Sequence, residues 1–454
     1  MSINNLPSSL QSVIQQGFLE REFQQPLRAK LGFRSIAQRE PFAAGIGETI
    51  TKTRRGLLPA ITTALAPAAN SDFTSGLTPQ NYGVEQYTLG VNQYAANQQL
   101  NVVTSRVAIA SLFLQNAKAL GEQAARSVDT LAQQALFKAY LGANTFVRVT
   151  LGSAGTTISV DDVSGFQYTW NSTGQVVPVS VSNPVNVTVG SDVYSLTGVA
   201  VDSSNVSISP GGVSGTLTFS TSVTTADGTA KNAVQSAVAP LVQRPYDAST
   251  GATMAATAWD ISASSSANGG RVSMQMLLNA KAQLSANGVS PVEASGMYHF
   301  YTSPKQAVGL FSDPDFKLLF RGQPNSEEFR RGVVAEILGI QLIETNLNPN
   351  AAFSGVGAVQ YGALCGEGAL VEGVFTREAY AGATDADDAD DMMVMADDIA
   401  HITREPLDAL KQVVTQSWSY IGGFTVPSDI TTNPQTIPTA SNSAFKRAVL
   451  LESL

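Results

Sequence analysis

At 454 residues the chain exceeds one ordinary hydrophobic core, so roughly two to four domains are expected. Charged residues make up 14%, against about 25% in an average globular protein, and small neutral polar residues fill the gap, which suits a surface buried against copies of itself. A net charge of −9 argues against a protein that grips duplex DNA over its bulk, the single Cys365 excludes a disulfide framework, and neither a membrane span nor a secretory leader is legible.

Residues 1–47 read as an N-terminal arm. Leu10, Val13, Ile14, Phe18 and Leu19 fall at helical spacing, and Phe23, Leu27, Leu31 and Phe33 follow among Arg21, Arg28, Lys30, Arg34 and Arg39. Such a segment packs on its own domain, or lies over neighbouring copies, or lines an inner wall where its charges meet phosphates. Residues 48–104 read as an extended hairpin. One strand runs from Glu48 to about Ile61, and a tip rich in Ala, Pro, Asn, Ser and Gly reaches Gly83. In the second strand Glu85, Tyr87, Leu89 and Val91 share one face, and Gln86, Thr88, Gly90 and Asn92 the other. So long a ribbon with so few core residues is poorly stable alone. It needs a surface to lie on, its own body or a second copy. Lys52, Arg54, Arg55 and Tyr87 are its candidate inter-subunit contacts, since guanidinium forks suit interface carboxylates; solvated charge is the other reading of the two arginines.

Residues 105–146 carry the clearest element. Phe113, Ala117, Leu120, Ala124, Val128, Leu131 and Ala135 recur every three or four residues, no proline interrupts 105–141, and Gly142 is placed to stop a helix. At ~1.5 Å per residue this is a rod of roughly 54 Å, long for a globular domain. From 147 to 226 the texture turns to Val, Thr, Ser, Gly and Asn, with Arg148 the one basic residue. Strands are expected at Val147–Leu151, Thr157–Val160, Val176–Val181, Val185–Val189, Val193–Leu196, Val206–Ile208 and Thr216–Phe219. Turns are expected at Asn183-Pro184, Val189-Gly190 and Pro210-Gly211-Gly212. This is an inserted all-β domain, a barrel or a sandwich.

Residues 227–454 read as mixed α/β. A helix is expected at Ser273–Ala286, resting on Met274, Leu277, Leu278, Ala282 and Leu284. A strand at Met297–Tyr301 leads through Ser303-Pro304-Lys305 into a helix at Gln306–Phe311. Further strands are expected at Ile340–Ile343, Ala369–Phe375 and Ser417–Val426, with an acidic loop over Asp385–Asp398.

Little in the chain carries chemistry. There is no phosphate-binding loop and no HExxH. Only His299 and His401 exist, which excludes a histidine-rich metal site. His299, between Tyr298 and Phe300, reads as a satisfied structural histidine, and His401 as a surface or interface residue. The spacing of the acidic loop does not match a calcium loop, so it reads as solvated. Cys365 sits in an apolar stretch as an inert buried thiol. No catalytic, cofactor or metal residue is assigned.

The order of arm, hairpin, rod helix, β-insertion and α/β body resembles the Hong-Kong-97-type fold of tailed-bacteriophage major capsid proteins, an α+β architecture. Gly47-Glu48-Thr49-Ile50-Thr51-Lys52-Thr53-Arg54 is similar to the rising strand of that family's extended loop, and Ser105–Leu141 to its spine helix. Gly296-Met297-Tyr298-His299-Phe300-Tyr301-Thr302-Ser303-Pro304 and Gly422-Gly423-Phe424-Thr425-Val426 are similar to strands of its axial domain. The resemblance implies a spine helix at 105–146 in a peripheral domain, and an axial domain with returning peripheral strands over 227–454. It also implies pentamers and hexamers of the chain tiling an icosahedral head around double-stranded DNA, with portal, scaffolding and decoration proteins as partners and no membrane. The DNA would be met through non-specific contacts on the inner face, and assembly would take place in the host bacterial cytoplasm. Some family members cross-link Lys to Asn; Lys52 lies in the corresponding region, but no motif fixes an Asn partner. The competing readings are a cellular nanocompartment shell of the same fold, a β-rich surface or adhesin protein, and a hydrolase built on His299.

Overall fold

A computed structural model describes residues 23, 32–42, 49–55, 61–62, 84–101, 109–170, 176–236, 241–247, 254–261, 266–292, 295–321, 336–375, 393–404, 409–410, 412–427, 429–432, 435–438 and 446–454. The N-terminal helix spacing at Leu10–Leu19 and most of the hairpin tip lie outside these residues.

A 3-10 turn at Phe33–Ile36 leads into β1 (Ala37–Phe42). β2 (Thr49–Arg55) and β3 (Val84–Gly90) pair antiparallel from Thr49↔Gly90 to Arg55↔Val84, and β4 (Asn92–Asn101) follows at once. α1 (Ile109–Leu141) is the rod, 33 residues or roughly 50 Å at ~1.5 Å each. Its buried seam follows the expected spacing through Phe113, Ala117, Leu120, Ala124 and Val128, then continues through Ala132, Leu136 and Tyr140. Leu131 and Ala135, expected on that seam, are only half-buried. A straight α-helix turns 3.6 residues at a time, so repeated steps of four carry the contact line around the rod.

Residues 144–236 form the inserted unit: β5 (Asn144–Phe146), β6 (Gly155–Val160), β7 (Tyr168–Trp170), β8 (Val176–Pro178), β9 (Val185–Val189), β10 (Asp192–Val201), β11 (Gly215–Val223) and β12 (Ala233–Ser236). Its sheet runs β5-β12-β9-β10-β11-β6. Val147, just past β5, bridges back to Val160 of β6, so the sheet closes into a barrel rather than a sandwich. Ile158, Val160, Val187, Val189, Leu196, Leu217, Phe219 and Val234 alternate inward and fill it. The unit is larger than the expected 147–226. Past the bridge at Val147, the expected strand to Leu151 is loop, as is Val206–Ile208. β7 and β12 are only three and four residues long, too short for their alternation to announce them.

The rest builds two sheets. β13 (Leu241–Gln243), β14 (Tyr298–Thr302), β15 (Glu336–Ile337), β16 (Ile340–Glu344), β17 (Asn350–Phe353), β18 (Gly357–Cys365) and β25 (Ala448–Ser453) form one of seven strands, ordered β13-β25-β18-β14-β16-β15 with β17 beside β18. α2 (Met274–Ala286) is capped by Ser273, whose hydroxyl accepts from Met276 N. It packs Met276, Leu277, Ala280 and Leu284 on that sheet, while Leu278 and Ala282 of the expected apolar set face solvent. α3 (Pro304–Ser312) opens on Pro304 with a Ser303–Gln306 capping box, and α4 (Pro314–Arg321) follows. The second sheet, of six strands, runs β1-β19-β22-β21-β20 through β19 (Leu370–Phe375), β20 (Met393–Ala396), β21 (Ile399–Arg404) and β22 (Val413–Thr425), with β4 also on β22. A short hairpin, β23 (Asp429–Thr432) and β24 (Gln435–Pro438), completes the strands. The N-terminal half of α1 lies on the second sheet through Leu120, Ala124, Val128, Trp418 and Tyr420. Its C-terminal half joins a core shared with the first sheet, where Leu136, Tyr140, Tyr301, Ala363 and Leu450 meet.

Candidate functional site

The ribbon of β2 and β3 is where the sequence pointed first. Tyr87, Leu89 and Val91 do share one face, and all three are buried, but at the ribbon's base they rest on their own chain. Leu89 packs against Val371, with Ile50 and Ile421 at its sides. The bed is made of glycines. A Cβ on Gly373 would stand 2.9 Å from Leu89 Cδ2, and one on Gly423 only 1.8 Å from the Gly90 carbonyl oxygen. Lys52 Nζ reaches Glu40 Oε2 at 2.7 Å, and the Tyr87 hydroxyl donates to Glu40 Oε1 at 3.5 Å. Lys52 and Tyr87 are thus brought together on an acid of the same chain. Arg54 and Arg55 sit farther out, opposite Glu85 and Val84, and their side chains lie outside the described residues. Ile61, beyond them, is exposed.

A second cluster was not read from the sequence. Residues 33–42, part of the expected arm over 1–47, are built into the chain's own body. β1 adds to the edge of the second sheet, parallel to β19 from Ala37↔Leu370 to Phe42↔Phe375. Arg34 is 2% exposed and its guanidinium meets Glu372 Oε1 at 2.7 Å and Asp398 Oδ2 at 3.6 Å, donates to the Asp397 carbonyl, and lies 5.6 Å over the Tyr420 ring. Tyr420 OH donates to the same Glu372 oxygen at 2.8 Å. Burial, with Glu372 beside it, holds that phenol far above its ordinary range. Asp129 of α1 accepts the backbone N–H groups of Gly32 and Arg34. Burial raises its carboxyl and those N–H bonds partly offset the rise. Phe33 stacks on Tyr301 of β14 at 4.6 Å, and Ser35 Oγ is 3.0 Å from its hydroxyl. One segment thereby ties both sheets and the rod. The available signal was Asp129 itself, an acid next to the apolar seam of a helix.

Other expectations are corrected. His401 is not on the surface: it is fully buried on β21, its ring 4.9 Å from Phe23 with neither nitrogen hydrogen-bonded, and burial pulls it down to about 4. His299 is half satisfied, with Nε2 2.8 Å from Ser295 Oγ and Nδ1 without a partner. Among the described residues no carboxylate is hydrogen-bonded to that ring, so they do not complete a hydrolytic triad there. Asp397 and Asp398, expected in a solvated loop, form the β20–β21 turn at positive φ and take Arg34 and Arg39; Asp385–Asp391 lie outside the described residues. Cys365 is fully buried and burial drives its thiol up, out of reach of the reactive thiolate form. Among the described residues no group of three or more His, Cys, Asp or Glu is placed to hold a metal, and no helix is long and apolar enough to cross a membrane.

Three of the barrel's carboxylates are spent internally. Asp161 accepts Ile208 N, Ser209 N and the hydroxyls of Ser207 and Ser209; Asp227 accepts Ser191 N and the hydroxyls of Ser191, Tyr194 and Thr224. Asp202 pairs with Arg148 at 2.9 Å. The helical edge of the seven-stranded sheet, by contrast, exposes Leu278, Val308, Phe311 and Leu318.

No protein-family model and no curated protein matches this sequence. Among solved structures the chain is similar to the capsid of Ralstonia phage GP4, at 12% identity over 92% of this chain and 87% of that one, with a TM-score of 0.47. It is also similar to the head of Helicobacter pylori bacteriophage KHP40 (11% identity, 93% and 92% covered, TM-score 0.43). The capsid of Cyanophage P-SCSP1u gives 12% identity, 93% and 88% covered, and a TM-score of 0.43.

Proposed function

We propose that this chain is a bacteriophage major capsid protein of the Hong-Kong-97 type, a structural subunit and not an enzyme. Copies would assemble as pentamers and hexamers into an icosahedral head around double-stranded DNA, in the cytoplasm of a bacterial host. The observation that carries the reading is the ribbon. Among the described residues β2 pairs with β3 alone, and the base of the ribbon rests on β19 and β22 with β23 also beside β3. Two strands are too few to be stable in water without a further surface. Beyond Arg55 and Val84 that surface would be the next subunit, with Arg54 and Arg55 directed to its carboxylates; Lys52 and Tyr87, held by Glu40, would set the angle at which the ribbon leaves. The low charge fraction and the apolar residues exposed on α2, α3 and α4 fit a surface covered on assembly. The arm's basic residues before Gly32 are suited to phosphates on the inner wall, and portal, scaffolding and decoration proteins are the partners such a shell requires.

Deletion of residues 56–83, with a short turn joining Arg55 to Val84, separates assembly from folding. The full chain is expected to sediment as capsomers or shells and the deletion as a folded monomer with unchanged thermal stability. A deletion variant that assembles like the full chain would refute the role given to the ribbon.

A further inference from the structure

Strand β4 is a long sheet edge without protection. It pairs with β22 along its whole length, from Asn92↔Gly422 to Asn101↔Val413, and on its other side no strand pairs with it among the described residues. The other edge strands of the two large sheets are short or blunted. β13, β15, β17 and β20 have two to four residues each, and the six-residue β1 carries Arg39, Glu40 and Pro41. Shortness, charge and proline are the means by which proteins keep an open edge from pairing with another chain. β4 uses none of them: it is ten residues of Asn, Gln, Ala, Tyr and Leu.

Its two faces differ. Tyr94 and Ala96 pack toward the rod beside Trp418 and Tyr420. Gln93, Ala95, Asn97 and Gln99 are exposed on the opposite face. There they continue a neutral polar surface from β22. Thr415 lies opposite Gln99, Ser417 lies opposite Asn97, and Gln93 Nε2 donates to Ser419 Oγ at 3.1 Å. Neither β4 nor β22 holds a charged side chain.

We propose that β4 is a docking edge for β4 of a second copy, the two strands pairing antiparallel about a two-fold axis so that the two six-stranded sheets run on as one. Two observations choose this occupant. The chain as a whole carries −9, yet this edge is free of charge, so it meets its own copy without like-charge repulsion. Antiparallel pairing about Ala96 also sets Gln93 opposite Gln99 and Ala95 opposite Asn97, which brings together amide side chains that both donate and accept. Size sets the circumstances. At ~3.4 Å per residue the edge is ~34 Å long, and with a sheet about 10 Å deep the pair buries roughly 700 Å² in all, under the ~1,200 Å² of a stable isolated complex. The seam therefore holds alongside other contacts between copies. In that respect the proposal rests on the shell reading, and it names a strand by which subunits join.

Cysteine cross-linking of the full-length chain tests the edge and the shell separately. Ala95→Cys/Asn97→Cys is compared with Ser220→Cys/Ser222→Cys, the same pattern at exposed positions of β11, a strand paired on both sides. Cys365 is fully buried and stays out of the reaction. After mild oxidation and sedimentation, the β4 variant is expected to yield disulfide-linked dimers on the order of tenfold in excess over the β11 variant, because a disulfide closes only where Cβ atoms approach to about 4.5 Å. Particles that form without this excess overturn the docking edge and leave the shell reading standing. Dimers linked through β4 with no larger particle support the edge and count against the shell. A chain that neither assembles nor cross-links overturns both. Asn97→Lys, which puts a protective charge on the edge, is expected to raise the concentration needed for assembly on the order of tenfold at an unchanged thermal midpoint. Assembly as in the wild type would overturn the proposal.

Discussion

Replacing Arg34 by Ala would leave Glu372 buried with the Tyr420 hydroxyl and, at 3.7 Å, the half-exposed Arg39 as its remaining partners, and would free Asp398 and the Asp397 carbonyl of the group they share. Breaking one side of such a pair costs about 3–5 kcal/mol, because the surviving charge stays desolvated. Arg34→Ala is therefore expected to lower stability by about that amount, measured from the denaturant midpoint at constant slope; a loss under about 1 kcal/mol would mean that the clasp is solvated. The two titrating groups with values near the mild acid range oppose each other. His401 binds a proton near 6.5 when unfolded but only at about 4 when folded, so it costs stability as pH falls from 6.5 toward 4. Asp162 is the reverse. Its folded value of about 6 lies above the ordinary 3.8, so it adds stability as pH falls from 6 toward 3.8. Each is worth on the order of 3 kcal/mol at its limit. His401→Leu should then gain stability on going from pH 6.5 to 4.5 relative to wild type, and Asp162→Asn should lose it. Parallel profiles for all three proteins would contradict both assignments.

Among the elements, the ones that bury a regular stripe were legible in the sequence. α1, β9 and the capped starts of α2 and α3 stand close to where spacing and caps put them, since Ser273 and Ser303 with Pro304 mark helix starts by local chemistry alone. What stayed hidden depends on partners remote in sequence. β1 forms because β19, 333 residues away in register, offers an edge, and nothing in Ala37–Phe42 alternates. His401 looked exposed because Arg404 and Glu405 follow it; Phe23, far away in the chain, is what covers it. Lys52 and Tyr87, expected as contacts to another subunit, meet on Glu40 of their own chain, an acid hidden from the sequence for the same reason. The ribbon's base also rests on a backbone approach that only glycine permits. Gly423→Ala would drive a methyl into the Gly90 carbonyl, and neither side of that contact is a flexible side chain. It is expected to cost roughly 1–3 kcal/mol and to loosen β3, seen as faster proteolysis between residues 56 and 83. An unchanged cleavage rate would show that the bed does not hold the ribbon.

At the scale of the whole molecule, the pieces divide into a stiff frame and a projecting ribbon. Residues 32–39 clamp the two sheets to the rod, the barrel is seated on aromatic rings, and β2 and β3 pair only with each other among the described residues. The charge placement agrees with this division. The carboxylates Asp161, Asp162, Asp227, Glu372 and Glu452 are consumed inside, which leaves a surface poor in charge for its size. Such a surface disfavours a monomer at high concentration and favours many modest contacts between copies, which add up when they close on themselves. Electron microscopy of the purified full-length chain, across a concentration series, tests this most directly. The account predicts closed shells, or rings of five and six subunits that become shells on concentration. A particle that remains a single subunit at every concentration, with residues 56–83 resistant to protease, would contradict it.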